Sequence, residues 1–363
     1  MSARTVLIMA GGTGGHIFPA LAAARVLRER GFEPIWLGTQ RGLEARLVPP
    51  AQITMEWITV SGVRGKGVTA WLLAPFRLLR AIRQSMHVIR RRHPDVVLGA
   101  GGFVSGPGGI AAWLLRKPLV IHEQNAVAGM TNKLLARFAT RVLEAFPKSF
   151  PQSARAQAVG NPVRREIVQL PSPAERFAGH AGPLRLFVFG GSQGAARLNA
   201  VVPAAIALLS PNLRPQIIHQ AGERHYQQAT ELYGQHGVTA QVRAFIDDMA
   251  QTYAWADLVI CRSGALTVSE LAAAGVGAVF VPFAAAVDDH QTRNAQFLVQ
   301  ADAAILIPEN EFTPERLAQE LEKLFRTGRE KLSVMARKAR AQAIVDADVR
   351  LADACMAAAG GQS

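Results

Sequence analysis

At 363 residues, 49% hydrophobic and 18% charged, the chain has the length for two domains and the composition for two sizeable cores, which excludes a disordered protein. Two cysteines, Cys261 and Cys355, exclude a disulfide framework and a Cys-based zinc site, and suit a reducing cytoplasm. Forty Lys+Arg against 27 Asp+Glu give a net charge of +13, so an anionic partner is expected: a phosphorylated substrate, an anionic lipid or a nucleic acid.

Residues 6–9 read as a strand running into the glycine-rich turn GGTGGH (11–16), then a helix over 20–30 and a strand at 35–37. The apolar run before these glycines is too short for a signal-peptide core. Between Glu56 and Asp95 there is no acidic residue, but there are Arg64, Lys66, Arg77, Arg80, Arg83, Arg90, Arg91 and Arg92. In the same stretch Leu72, Phe76, Leu79, Ile82, Met86 and Ile89 recur at helical spacing. Such a basic amphipathic helix suits a membrane surface. The alternative is a stripe packed on its own domain with the arginines solvated.

Further on, 96–98 feeds GAGGFVSGPGG (99–109) and 119–121 feeds HEQN (122–125). The run Gly160-Asn161-Pro162 cannot continue a helix or a central strand and marks a boundary. A second series follows: a strand at 186–189 before GGSQGA (190–195), and one at 258–260 before CRSGALTVSE (261–270). Residues 271–287 carry no charge, but Gly275, Gly277 and Pro282 break them into helix, turn and strand (278–282) rather than a membrane span. A loop ending Asp288-Asp289-His290-Gln291 offers polar groups for sugar hydroxyls, and 314–326 and 330–357 are helical in pattern. This alternation predicts an α/β fold of two doubly wound domains, 1–162 and 163–340, with a helix in 341–363 returning to the first.

Glycine-rich turns after strands let a backbone approach a phosphate, and a helix N-terminus beyond them presents unpaired amides. GGTGGH lacks the Lys-[Ser/Thr] of a Walker loop and fails G-x-G-x-x-G at Ile17. The strand at 35–37 ends in Gly38-Thr39, without a carboxylate for ribose, so NAD is not expected in the first domain. Ser263-Gly264 would cap a helix whose N-terminus holds a diphosphate. Glu270 could accept from both ribose hydroxyls, or be a surface glutamate on an alanine-rich helix. The Asp-x-Asp spacing at Asp346 and Asp348 lies in the terminal helical region and reads as a solvated face. Neither a metal nor a cofactor is expected.

GGTGGH, GGFVSGPGG, HEQN, GNPVR, GGSQGA, FIDDM and CRSGALTVSE, in this order and spacing, resemble the MurG family of N-acetylglucosaminyltransferases, which make lipid II. The resemblance implies a GT-B fold, two Rossmann-like domains facing across a cleft. It implies UDP-GlcNAc as donor and undecaprenyl-pyrophosphoryl-MurNAc-pentapeptide (lipid I) as acceptor. It also implies peripheral attachment to the cytoplasmic side of the inner membrane through anionic lipids, and other cell-wall synthesis and division proteins as partners, with no nucleic acid.

By the same resemblance Thr13, Gly14 and Gly15 face the donor sugar and the acceptor diphosphate, and Asn125 binds GlcNAc. Arg164 and Ser192 contact the diphosphate or nearby nucleotide, and Ile246 offers backbone hydrogen bonds to uracil. Ala265, Leu266, Thr267, Val268, Ser269 and Glu270 bind phosphate and ribose, and Gln291 the GlcNAc hydroxyls. Leu72, Phe76, Leu79, Ile82 and Trp113 match an apolar membrane patch. Phe103 stands where the family often has Tyr, and Gly277 where it often has Pro. The implied reaction inverts the anomeric carbon. His16 is the preferred base, since an imidazole titrating near ~6.5 suits base work at neutrality, with helix capping its bland alternative. Glu123 is the other candidate, with His122 behind it. Competing readings are a UDP-GlcNAc 2-epimerase of the same architecture and a basic nucleic-acid-binding protein. An aromatic content of 7% disfavours the second.

Overall fold

The computed structural model describes residues 4–60, 73–191, 194–284 and 289–360, and among them the alternating apolar runs form two all-parallel sheets. The first contains β1 (Arg4–Met9), β2 (Phe32–Gly38), β3 (Thr54–Trp57), β4 (Val96–Gly99), β5 (Leu119–Glu123), β6 (Arg141–Glu144) and β7 (Gln157–Ala158), in the order β3-β2-β1-β4-β5-β6-β7. The second contains β8 (Arg185–Phe189), β9 (Gln216–Gln220), β10 (Gln241–Arg243), β11 (Leu258–Cys261), β12 (Gly277–Phe280) and β13 (Ala304–Leu306), in the order β10-β9-β8-β11-β12-β13. Each order reverses direction once, between β1 and β4 and between β8 and β11. Met9 is paired with Gly99 and Phe189 with Cys261, so at each switch point two glycine-bearing loops leave the sheet at the same level.

Both faces of the first sheet are buried, which is why its strands read as apolar runs rather than as alternating patterns. Val6 and Ile8 join Trp36, Val96 and Leu98 on one face, against the helix Gly14–Glu29. Leu7 and Met9 join Ile35, Leu37 and Val97 on the other, against Val88 and Ile89 of the helix Ala74–Arg92. The second unit has its own core around Leu186, Val188, Ile260 and Val279.

The chain divides after residue 163 and again after residue 343, so residues from 344 onward belong to the first unit. The helical pattern over 330–357 is in fact two helices, Arg329–Ala341 and Ala347–Gly360. The break falls where the chain leaves one unit for the other, at the β-branched pair Ile344-Val345. Leu332 and Met335 of the former lie in the second core, whereas Leu351, Ala352 and Cys355 of the latter lie in the first. Asp348 pairs with Arg25 at 3.2 Å and Asp346 with Arg350 at 2.8 Å, so each carboxylate of the Asp-x-Asp spacing has an arginine.

Gly160 adopts φ +83, and a Cβ there would lie 2.7 Å from Ile344 Cβ. Left-handed backbone costs a β-carbon about 1–2 kcal/mol, and overpacking about 1–3. Gly160→Ala is therefore expected to lower stability by about 2–5 kcal/mol, visible as a clear drop in the circular-dichroism melting midpoint. An unchanged midpoint contradicts this seating of the final segment.

The basic stripe divides along its helix, Ala74–Arg92. Val88 and Ile89 are buried, and Ile82 and Met86 pack partly against the core. Phe76 is 72% exposed and Leu79 is exposed, with Leu73 and Leu78 beside them as unexpected additions. The apolar positions thus serve the core at the helix's C-terminal end and solvent at its N-terminal end. Leu72, Arg64 and Lys66 lie outside the described residues. Arg91 and Arg92 both pair with the buried Glu56, the latter at 2.7 Å. Trp113 is 47% exposed, its ring 4.7 Å from that of Phe138. Among the described residues no helix is long and apolar enough to cross a membrane.

Candidate functional site

In the first unit the loop after β1 turns at Gly12 (φ +87) and enters the helix at Gly14, six residues before the expected start. The Gly-Gly pair has poor helix propensity, which hides this beginning in the sequence. Thr13 is an extended N-cap without a side-chain hydrogen bond, and its carbonyl accepts from the amides of His16 (3.1 Å) and Ile17 (3.2 Å). Gly14, Gly15 and His16 therefore form the first helical turn, and His16 is half-buried there.

Two buried side chains hold this turn. Glu44 Oε2 accepts from Gly12 N (3.1 Å), while its Oε1 accepts from Thr39 N (2.9 Å) and Thr39 Oγ1 (2.8 Å). Ser105 Oγ accepts from Gly101 N (3.1 Å) and lies 2.9 Å from Met9 O. Gly101, at φ +99, is where the loop after β4 passes His16: a Cβ there would fall 2.4 Å from the imidazole Nδ1. No local pattern marks Glu44, because its partner loop is 32 residues away.

At the end of β5 the side chains alternate. Glu123 is buried, and its carboxylate accepts from Asn125 N (3.0 Å), Asn125 Nδ2 (3.2 Å), Gly129 N (3.0 Å) and Asn132 Nδ2 (2.9 Å). It thereby organises the loop that carries Asn125, which is half-buried. His122 and Gln124 are buried too, but they lie together, with Gln124 Oε1 3.0 Å from His16 Nδ1. His122 Nε2 lies 2.9 Å from Gly160 O, and burial holds its pKa down at about 4, so the ring is neutral. Phe103 is exposed.

In the second unit the loop after β8 contains Gly191 (φ +93) and Gly194 (φ +75), where a Cβ would lie 1.8 Å from Ala221 O. Ser192 lies outside the described residues. The buried Gln220 bridges this loop to the FIDDM segment: its Nε2 donates to Gly191 O (3.0 Å) and its Oε1 accepts from Ile246 N (2.9 Å). With its amide so engaged, the backbone group Ile246 can offer is its carbonyl.

The helix after β11, Ala265–Ala274, starts at an extended Gly264 with no side-chain cap, leaving its first-turn amides to an anion. Leu266, Thr267 and Ser269 are half-buried, Ala265 is buried, and Val268 is a core residue. At the other end, the buried Arg176 donates to Ala274 O (2.6 Å), Gly275 O (2.5 Å) and Tyr253 O (3.0 Å), a cation placed at the negative pole of the helix. Burial lowers its pKa to about 10, still far above neutrality.

Glu270 is buried rather than a surface residue. Its Oε1 accepts from Arg164 Nε (3.1 Å) and from a terminal Arg164 nitrogen (3.0 Å), and its Oε2 from Tyr253 OH (3.2 Å). Burial raises its pKa above the ordinary value and Arg164 opposes that shift. The two residues expected at ribose and diphosphate are thus paired with each other.

Next to the helix N-terminus, Gly190, Gly191, Arg197, Arg262, Thr267 and Gln291 line a cavity of about 650 Å³. Gln291 Oε1 accepts from Phe283 N at 2.9 Å. Arg262 donates to Val281 O (3.0 Å) and Pro282 O (3.1 Å), pairs with Glu309, and stacks 5.3 Å from the centre of the Phe283 ring. Arg197, Arg262 and Glu309 were not expected at the site: Arg262 stands inside CRSGALTVSE, but Arg197 and Glu309 carry no motif. Among the described residues no group of three or more His, Cys, Asp or Glu side chains could hold a metal.

Two family models match the chain on these elements: the glycosyltransferase family 28 N-terminal domain over residues 6–144 and the corresponding C-terminal domain over residues 185–351. Relatives named UDP-N-acetylglucosamine–N-acetylmuramyl-(pentapeptide) pyrophosphoryl-undecaprenol N-acetylglucosamine transferase are similar along the whole length. That of Nitrosococcus oceani is 56% identical, covering 98% of this chain and 99% of its own. That of Marinobacter nauticus is 55% identical, covering 99% and 98%. The crystal structure of Acinetobacter baumannii MurG superposes with a TM-score of 0.87 at 42% identity, over 98% of this chain and 99% of that one. The calicheamicin glycosyltransferase CalG4, at 17% identity and TM-score 0.69, shares the fold. Matched in both halves by family 28 domains and more than half identical to full-length relatives, the chain belongs to the MurG family of GT-B glycosyltransferases.

Proposed function

We propose that this protein transfers GlcNAc from UDP-GlcNAc to the 4-hydroxyl of MurNAc in lipid I, with inversion, to give lipid II. The observation that carries the chemistry is that each unit has its own device at its switch point: an imidazole on the first turn after β1 in the first, and an uncapped helix N-terminus after β11 in the second. His16 takes the proton of the attacking hydroxyl as the new bond forms at the anomeric carbon. UDP departs with its bonding pair, and the amides at Ala265–Thr267 stabilise its growing charge by up to about 2 kcal/mol, with Arg262 and Arg197 lining the same cavity. Glu270 is the acceptor for the ribose hydroxyls, and Gln291 for those of the sugar.

Radiolabelled UDP-GlcNAc mixed with a short-chain lipid I analogue tests this reading: label is expected in the lipid, with negligible turnover of UDP-GlcNAc alone. Turnover without acceptor would favour the epimerase chemistry instead.

The acceptor's lipid tail calls for a docking surface, and we assign it to the N-terminal end of the basic helix, on the cytoplasmic side of the inner membrane. There Phe76 and Leu79 are exposed, and Arg77 and Arg80 line a cavity of about 770 Å³ with Arg41 and Trp57. Each nearby Lys or Arg adds about 1 kcal/mol of attraction to anionic lipid. Phe76→Ser combined with Leu79→Ser is expected to weaken binding to anionic vesicles by about 10- to 100-fold without lowering the melting midpoint. Vesicle binding equal to wild type would place the contact elsewhere.

A further inference from the structure

We infer that Gln124 is a positioning residue that fixes the tautomer of His16, placing the proton on Nδ1 and the basic lone pair on Nε2; this rests on the reading of His16 as the base. The groups around this amide have fixed hydrogen-bonding roles. A backbone carbonyl can only accept, so the Gln124 side-chain atom 2.8 Å from Ala100 O is the amide nitrogen. The oxygen of that amide is then the atom 3.0 Å from His16 Nδ1, and an oxygen there requires Nδ1 to carry hydrogen. Among the described residues His16 Nε2 makes no hydrogen bond.

The amide is locked a second time from behind. His122 Nε2 lies 2.9 Å from Gly160 O, which again can only accept, so Nε2 carries the proton. In the neutral ring Nδ1 is therefore an acceptor, and it lies 3.2 Å from Gln124 Nε2. Both hydrogens of the Gln124 amide are used, one on Ala100 O and one on His122. A charged His122 would put N–H against N–H, and burial keeps that ring neutral. Gly160 O, His122, Gln124 and His16 thus form one directional series in which each group leaves the next a single role. The amide serves here as an uncharged counterpart of the carboxylate that orients histidine in hydrolase triads. An uncharged partner selects the tautomer without placing a charge beside the ring.

The test is nitrogen-15 NMR of the histidine rings in the full-length protein, with steady-state kinetics on the same samples. Wild type is expected to show His16 as the Nδ1–H tautomer. Gln124→Met, which has no acceptor, is expected to move His16 toward the Nε2–H form and to lower kcat by about 10- to 100-fold, with the KM for UDP-GlcNAc little changed. Gln124→Glu, which keeps an oxygen against Nδ1, is expected to retain the Nδ1–H form. An Nδ1–H signal undisturbed in Gln124→Met, or full kcat in that variant despite a changed tautomer, overturns the assignment. An unchanged circular-dichroism melting midpoint shows that each variant is folded. His16→Ala with wild-type turnover would remove the base reading alone, and the NMR comparison would still decide whether Gln124 sets the tautomer.

Discussion

His16→Ala is expected to lower kcat by about 10²- to 10⁴-fold, the range for loss of a positioned general base, while leaving UDP affinity within about twofold of wild type. The separation follows from where the residue stands. His16 is on the first turn after β1, in the first unit, whereas the groups proposed to hold the nucleotide come from the loops after β8 and β11 in the second. A group acting only on the attacking hydroxyl contributes to the transition state and not to donor binding, so kcat falls and KM for UDP-GlcNAc holds. Glu123→Gln gives the contrasting pattern. Its carboxylate accepts four hydrogen bonds within its own loop, so the variant is expected to lose thermal stability as well as rate. Near-wild-type turnover of His16→Ala, with collapse only in Glu123→Gln and no loss of stability, would reverse the two roles.

Glu270→Gln is expected to weaken UDP binding by about 10- to 100-fold, corresponding to about 1.5–3 kcal/mol for hydrogen bonds to a charged acceptor, without lowering the melting midpoint at neutral pH. The buried carboxylate is kept by Arg164 and Tyr253 at a cost in desolvation. A glutamine of the same shape can still accept from Arg164 and donate to the tyrosine oxygen. The pH dependence carries the sign. Glu270 has a folded pKa raised above its unfolded value of 4.5, so the native state binds its proton more tightly. Its stabilising contribution is full below the unfolded pKa and is lost as pH rises through the folded one. Wild type should therefore lose stability relative to Glu270→Gln as pH climbs above 4.5, and the two melting curves should converge below it. Divergence on the acid side instead would contradict the burial argument.

Strands and glycine loops were legible because each rests on a local signal: a run of β-branched and leucine residues, then glycine punctuation. Residues 6–9, 96–98, 186–189 and 258–260 all lie within observed strands. Helix ends were less legible. Gly14 and Gly15 look like loop but begin a helix, and the pattern over 330–357 conceals a break that only the division of the units explains. The side chains that hold the site were hardest to find. Glu44, Arg176 and Gln220 act on carbonyls and amides 26 to 99 residues away, and nothing in their own neighbourhood announces it. Gln124 sits inside HEQN, yet its role depends on Ala100 O and on a ring two residues back along the strand. Motif spacing shows which residues travel together, but hydrogen-bond direction appears only once backbone carbonyls have positions.

The placement of Ala347–Gly360 within the first unit sets a timetable for the ribosome. At roughly 5–20 residues per second, about 10 to 35 seconds separate the synthesis of residue 163 from that of residue 344. Through that interval the apolar surface that will receive Leu351 and Cys355 has no cover. The second unit is continuous in the chain, but its core too waits for Leu332 and Met335 near the end of that interval. The nascent protein thus carries an uncovered first unit while the second is still being made, and it is in this window that a chaperone would find its binding surface.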